Sequence, residues 1–307
     1  MSLKRFLILL GAMILGAVVL AACGGAPTEP VVAEPVAAEL VIPFEDVFRA
    51  SGHANGTEEA FVHWDEDGAV PTSCAKCHTS AGYQEFVSTG AVSAEVTAPA
   101  GPLNCDTCHN ASAMVLTSVT FPSGLVVETS ADGEARCMTC HQGRESKVSV
   151  DKQINETFKV TDVDAVVAPV KDADGKDVVF GFRNVHYFAA GATLYGAQAQ
   201  MGYEYDGKAY DPKFRHVETF DTCVECHDQH ATQVRVDTCA ACHQDVETVE
   251  DLKNNRENGS LEDYNGNGDT KEGIYYELKG LQDILYSSIQ AYAWIEPYRM
   301  SCRPFSS

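Results

Sequence analysis

Five copies of one short pattern constrain this chain more than any other feature. They are Cys74-Ala-Lys-Cys77-His78, Cys105-Asp-Thr-Cys108-His109, Cys137-Met-Thr-Cys140-His141, Cys223-Val-Glu-Cys226-His227 and Cys239-Ala-Ala-Cys242-His243. Composition alone gives an expectation on the order of 0.01 such matches, so the repetition is not chance. The pattern uses ten of the twelve cysteines, and every copy ends in His. Residues i and i+3 of a helical turn share a face. Both thiols of a copy can therefore reach one flat partner, and the His at i+4 lies beneath it.

C-x-x-C-H is the attachment signal for c-type haem, in which the two thiols take the vinyl groups and the imidazole takes the iron. The chain resembles the multihaem c-type cytochromes, and the resemblance rests on residues 74 to 243. It implies five covalently attached haem c groups held by Cys74, Cys77, Cys105, Cys108, Cys137, Cys140, Cys223, Cys226, Cys239 and Cys242. The implied proximal iron ligands are His78, His109, His141, His227 and His243. The implied fold is mainly α with extensive loops and small β-hairpins, a multihaem cytochrome c architecture organised around its covalent haems. A disulfide scaffold would use ten cysteines but would not need a His after every second one. Zinc sites pair C-x-x-C units, and five units all ending in His in an exported chain do not suit them. Thioredoxin-like motifs do not come in fives.

Composition agrees with a cofactor-filled interior. Beyond residue 22 there are only ten Leu and six Ile. Ala and Val supply much of the apolar count, so a large aliphatic core is missing for a chain of 307 residues. Covalent porphyrins would occupy that space.

Ten His less five proximal ones leaves His53, His63, His186, His216 and His230, as many spares as motifs. The simplest reading makes each a distal iron ligand, giving bis-His haems throughout; the alternative is surface or core histidines. His63 and His216 each precede an attachment motif, and His230 follows His227 by three residues. His230 would be a helical neighbour of His227, and because His227 takes its own haem, His230 is expected to reach an adjacent one. Met114, Met138 and Met201 are the other sixth-ligand candidates, and Met/His ligation would raise the potential. Which distal His serves which haem stays open. Lys76, Arg136 and Arg144 lie near the motifs and could pair with haem propionates or simply serve solubility.

At the N-terminus, Lys4 and Arg5 precede a 17-residue uncharged run ending Leu20-Ala21-Ala22-Cys23. That is the layout of a secretory signal over residues 1–22. The run is short for a permanent span, and no basic stop-transfer cluster follows. Leu20 to Cys23 also resembles the bacterial lipobox, which implies cleavage before Cys23 and its lipidation. Residues 23–45, rich in Pro, Ala and Glu, read as a semi-extended tether. The expected location is thus exported and lipid-anchored to the membrane, periplasmic or on the outer cell surface. The net charge is −22, and losing Lys4 and Arg5 takes it to −24. Such a chain repels nucleic acid, so no nucleic-acid partner is expected.

Residues 46–145 read as a three-haem module. Within it, Val115–Phe121 and Leu125–Glu128 flank Pro122-Ser-Gly124 as a β-hairpin. Residues 146–218 carry no motif and read as a segment donating distal His, with a hairpin turn at Lys171–Lys176 and a helix over Asn184–Gln198 presenting His186. Residues 219–247 form a compact two-haem module. Residues 248–307 read as a helical C-terminal segment, with helices at Val246–Asn255 and Tyr275–Tyr292. In the second helix Leu278, Leu281, Ile284, Leu285 and Ile289 form an apolar stripe expected to be core. Between them, Asp263, Asn265, Asn267 and Asp269 alternate along the chain with Gly at the sixth position and resemble an EF-hand-type calcium loop, a second candidate cofactor site. Position twelve is Ile274 rather than Glu, and an Asn/Asp/Gly turn is the equal alternative. Cys302 is unexplained; the amphipathic pattern stops near residue 294, where a truncation or frame shift of the natural sequence is one reading and a mobile tail the other.

The leading functional expectation is a membrane-anchored pentahaem electron-transfer relay in respiratory or extracellular electron transport, with no catalytic residues. Its expected partners are redox proteins or a quinol-linked membrane complex. A reductase of small nitrogen or sulfur oxyanions is the alternative. It would need one open haem, and the C-x-x-C-K that generally marks the resembling ammonia-forming nitrite reductases is absent. A structural subunit of a haem-bearing filament is the third class.

Overall fold

A computed structural model describes residues 41–129, 133–160, 170–214, 216, 217 and 220–295, with side chains to 292. The leader, Cys23, most of the 23–45 tether and Cys302 lie outside these residues. From Phe44 onward the chain forms one unit of short helices, loops and three two-stranded antiparallel sheets.

The first stretch holds α1 (Glu45–Arg49) and α2 (Glu59–Val62). Strand β1 (Ala69–Val70) leads into α3 (Thr72–His78), which carries the first motif. Thr79 then caps α4 (Ser80–Thr89): its Oγ1 accepts from the Gly82 N–H at 2.9 Å. Gly82 is required there, because a Cβ would sit 2.3 Å from the Ala75 carbonyl oxygen. The close approach of α3 and α4 buries Ala75 and Tyr83. Strand β2 (Val96–Thr97) returns to pair with β1.

Helices α5 (Cys105–Cys108) and α6 (Ala111–Met114) follow. Each starts on an Asn that accepts a backbone N–H, Asn104 from Thr107 and Asn110 from Ala113. Such caps stabilise short helices by about 1 kcal/mol. Strands β3 (Ser118–Thr120) and β4 (Val126–Glu128) form the expected hairpin about Pro122-Ser-Gly124. Helix α7 (Glu134–His141) carries the third motif, and α8 (Lys147–Lys152) runs on into a wider turn at Gln153–Phe158. Strands β5 (Val170–Lys171) and β6 (Asp177–Val178) make the second expected hairpin.

Helix α9 (Ala190–Ala199) packs on α7. Their interface and the β3–β4 hairpin build the core: Val119, Phe121, Val127, Met138, Ala192, Tyr195, Ala199 and Met201. Burying each larger side chain contributes roughly 1.5–3 kcal/mol. No Leu or Ile belongs to the buried set among the described residues, in keeping with the composition.

Helix α10 (Cys223–Cys226) carries motif four, and α11 (Val236–Cys239) ends on the first Cys of motif five, whose remaining residues form a turn. Thr222 and Glu225 close a capping box around motif four, with Glu225 Oε2 accepting the Thr222 N–H at 2.9 Å. Helix α12 (Ile274–Ile295) ends the described chain. Among the described residues no helix is long and apolar enough to cross a membrane.

Three expectations are corrected. The helix expected over Asn184–Gln198 starts only at Ala190, so His186 sits in irregular backbone with φ 94°. Of the helix expected over Val246–Asn255 only a 3-10 turn at Asp251–Asn254 forms; Asp251 is engaged in capping Glu247 and Thr248 instead. The α12 stripe is not core: Leu278 is 53% and Leu285 60% exposed. Periodicity located the helix, but no element among the described residues covers that face.

Candidate haem centres

Each motif folds into one helical turn. In motifs two, four and five the His N–H donates to the carbonyl of the first Cys at 2.9 Å: His109 to Cys105, His227 to Cys223 and His243 to Cys239. Motifs one and three lie wholly inside α3 and α7. None of the ten motif cysteines is paired in a disulfide.

Four of the five spare histidines face a motif histidine. Ring centroids are 6.0 Å apart for His53 and His141, 5.9 Å for His78 and His186, 6.1 Å for His109 and His230, and 6.0 Å for His216 and His243. An imidazole nitrogen sits about 2 Å from a transition metal and roughly 1 Å from its own ring centre, so two trans imidazoles on one iron bring their centroids to about 6 Å. The residues present fit the group on this test. The interplanar angles differ: 35°, 77°, 3° and 32° in the same order.

Second contacts orient several rings. His78 Nδ1 lies 2.8 Å from the Ala60 carbonyl and His141 Nδ1 2.7 Å from that of Phe188. With Nδ1–H donating there, Nε2 of each is left for a metal. The backbone at Gly143 (φ 84°) brings Val185 beside motif three, with the Arg144 N–H donating to Val185 O at 3.0 Å. A Cβ at Gly143 would stand 2.7 Å from that same oxygen. This contact fixes the segment that presents His186.

Burial is the first cause that holds His53, His78, His186 and His227 below the ordinary imidazole range. Neighbouring imidazoles and, for His78 and His186, Arg144 act in the same direction. Neutral imidazole is the form that ligates metal.

The fifth spare, His63, is placed otherwise. Its ring packs edge-on against Trp64 at 4.7 Å, and its Nδ1 is 2.7 Å from Glu59 Oε1 on an exposed helix face. It meets no motif histidine within ring-contact distance among the described residues, and neither does His227. Of the methionine candidates, Met138 and Met201 lie in the apolar core. The Met114 sulfur accepts from Arg136 Nη1 at 2.8 Å.

Attachment points of different motifs touch. Cys77 and Cys140 lie close enough to act on each other, the first thiol pushed down and the second up. The same helices exchange Cys77 Sγ to Thr139 O and Cys140 Sγ to Lys76 O contacts, both 3.9 Å. Cys137 and Cys223 act on each other in the same way, Cys137 pushed down and Cys223 up. Burial pushes Cys108 up, with Cys137 as the next cause, and raises Cys226, with Cys239 next. Motif three thus neighbours motifs one, two and four, and motif four neighbours five. Tyr83, buried among these thiols, donates its hydroxyl to Arg136 O at 3.3 Å.

Of the cations read from the sequence, Lys76 lies over the Phe86 ring at 4.9 Å, Arg136 is on Met114, and Arg144 acts on the His78/His186 pair. Sequence reasoning missed Arg235. Its backbone N–H donates to Cys226 O at 2.8 Å, and its Nε is buried without a partner. It is the one Lys or Arg between Cys223 and His243, a signal that could have found it.

In the loop resembling a calcium site, Asp263 accepts from the N–H of Gly266, Asn267 and Gly268. Asn265, Asn267 and Asp269 each accept from the N–H two residues on. Asn265 and Asn267 donate to Glu272 Oε1 at 2.6 and 2.8 Å. The loop satisfies its own polar groups as an Asn/Asp/Gly turn. No acidic, His or Cys cluster suited to a metal ion occurs among the described residues.

Residues 59–142 match the family described as cytochrome c7 and related cytochrome c. C-type polyheme cytochrome OmcB of Geobacter sulfurreducens is 31% identical over 176 residues, covering 55% of this chain and 18% of that relative. C-type polyheme cytochrome OmcC of the same organism is 28% identical over 248 residues, covering 66% of this chain and 28% of the relative. The chain therefore spans less than a third of the length of these relatives. No solved structure matches it. The chain is mainly helical with small two-stranded sheets, consistent with a multihaem cytochrome c fold, and is similar to polyhaem c-type cytochromes.

Proposed function

We propose that this relative of the polyhaem cytochromes carries five covalently attached haem c groups and works as an electron-transfer relay with redox proteins as partners. The observation that carries the reading is the set of four histidine pairs 5.9–6.1 Å apart. Haem supplies a one-electron couple when bound. The chain's own part is to anchor, ligate and space. Five cysteine pairs fix the rings, His78, His109, His141, His227 and His243 stand beneath them, and His186, His230, His53 and His216 close four of the sixth positions. An iron closed on both faces by imidazole binds no substrate, which suits a carrier.

Thiol adjacency supports a junction at motif three, with motifs one and two on two branches and four and five on a third. Branching lets such a carrier accept from one partner and deliver to another. The lipid anchor at Cys23, the exported location and a quinol-linked membrane partner belong to this reading through the N-terminal sequence. The loop of Asp263, Asn265, Asn267 and Asp269 stays a second candidate cofactor site, for calcium, beside the haem reading.

The test is spin quantitation by EPR on oxidised protein in which a pyridine haemochrome assay reads five haems. The relay reading expects predominantly low-spin haem and reversible one-electron steps in a potentiometric titration. Predominantly high-spin haem, or reduction of nitrite at a rate that accounts for all electron flow, would favour the reductase of small oxyanions.

A further inference from the structure

We infer that the fourth haem, on Cys223, Cys226 and His227, has an exchangeable sixth position that binds a small exogenous ligand such as CO or NO. This rests on the haem-attachment reading and goes beyond it.

The same ring separation that pairs four motif histidines finds no second imidazole for His227 among the described residues, which include all ten histidines. Four of the five spares are already committed, each to another motif. The fifth, His63, is on the far side of the count: it stacks edge-on with Trp64, whose ring is in turn 5.1 Å from His78 of motif one. Glu59 at 2.7 Å from Nδ1 holds it on its own helix. Among the described residues the methionines are taken as well, Met138 and Met201 by the core and Met114 by Arg136.

The local fold gives the fourth motif a different setting from its neighbours. His227 is not helical; its backbone is extended (φ −117°, ψ 137°) and bridges Val234 in an antiparallel pair. The loop that closes this bridge sends His230 away to His109, 6.1 Å between ring centroids. A residue three positions after the motif, well placed in sequence to serve locally, is thereby spent on another haem. Arg235, the next residue after the bridge, keeps a buried Nε–H without a partner. That donor is available to a haem propionate or to the outer atom of a bound ligand.

The position does not make the relay untenable, since haems one, two, three and five retain two imidazoles each. It adds to the relay a site at which one haem meets small molecules directly.

The experiment uses the full haem-loaded protein. A pyridine haemochrome assay and intact mass first establish five haems per chain; fewer would overturn the attachment reading itself. The dithionite-reduced protein is then titrated with CO. The expected result is one CO per five haems, matched in the oxidised protein by one high-spin haem in five by EPR. Neither value should change in His63→Ala. In a Cys223→Ser/Cys226→Ser variant that loads four haems, CO binding should vanish. Five haems with no CO uptake and no high-spin signal would overturn the inference. So would a His63→Ala variant that gains a high-spin haem, which would make His63 the missing ligand. CO stoichiometry and the His63 variant decide the matter even where the double variant does not accumulate.

Discussion

His109 and His230 face each other with ring centroids 6.1 Å apart and planes within 3°, although one belongs to motif two and the other follows motif four. The Phe44 ring stacks on His230 at 4.7 Å and 5°. That contact holds the distal ring without a hydrogen bond. His230→Ala should therefore turn the second haem high-spin and CO-reactive, leaving the others unchanged. Phe44→Ala should weaken this ligation without abolishing it. Visible spectra with and without CO check both.

The interplanar angles predict distinct signatures. Parallel imidazoles split the iron's π-symmetry d orbitals, whereas perpendicular ones leave them nearly degenerate. The His109/His230 haem should give a rhombic low-spin EPR signal. The His78/His186 haem, at 77°, should give a highly anisotropic one. Loss of the anisotropic signal in His186→Ala and of the rhombic one in His230→Ala is the expected assignment.

Arg144 acts on both rings of the His78/His186 pair. A positive charge near an iron favours its reduced state. Arg144 is exposed, so solvent screening reduces its effect to on the order of 1 kcal/mol, or about 40 mV for one electron. Arg144→Gln should lower the potential of the first haem by tens of millivolts in a potentiometric titration that leaves the other four in place.

Gly143→Ala should disturb a haem ligand at a distance. The residue has φ 84°, and its Cβ would press on the Val185 carbonyl, one residue before His186. A strained substitution of this kind costs roughly 1–3 kcal/mol. The expected outcome is a lowered melting temperature together with a partly high-spin first haem. A melting shift alone would show that the Val185 segment relaxes without moving His186.

Acid should act in one direction. Burial holds His53, His78 and His186 below the ordinary imidazole value of 6.5. A folded pKa below the unfolded one gives a stabilisation present above the unfolded value and lost as pH falls through the folded one. Iron ligation shifts it further the same way. Low-spin spectra should thus persist below pH 6.5 and fail only on stronger acidification. Loss of ligation near neutral pH would contradict this.

What the sequence made legible follows from how local each signal is. The pattern Cys-x-x-Cys-His folds as a single local turn, so the turn at each of the five motifs could be read directly. The two hairpins were readable from Pro122-Ser-Gly124 and Lys171–Lys176 for the same reason. Pairing was not readable, because His53 reaches His141 and His230 reaches His109 through tertiary packing. His63 precedes motif one in sequence; in the structure it borders that motif through Trp64, while His186 lies opposite His78. The α12 stripe shows the complementary failure: 3.6-residue periodicity fixes the helix, and says nothing of what its apolar face meets.

The most direct test of the account is the number of low-spin haems in the fully oxidised protein, quantified by EPR against a pyridine haemochrome count of five. Four histidine pairs predict four low-spin haems, with His53, His186, His216 and His230 variants each reducing that number by one. A count that any of these four substitutions leaves untouched would contradict the pairing on which the relay is built.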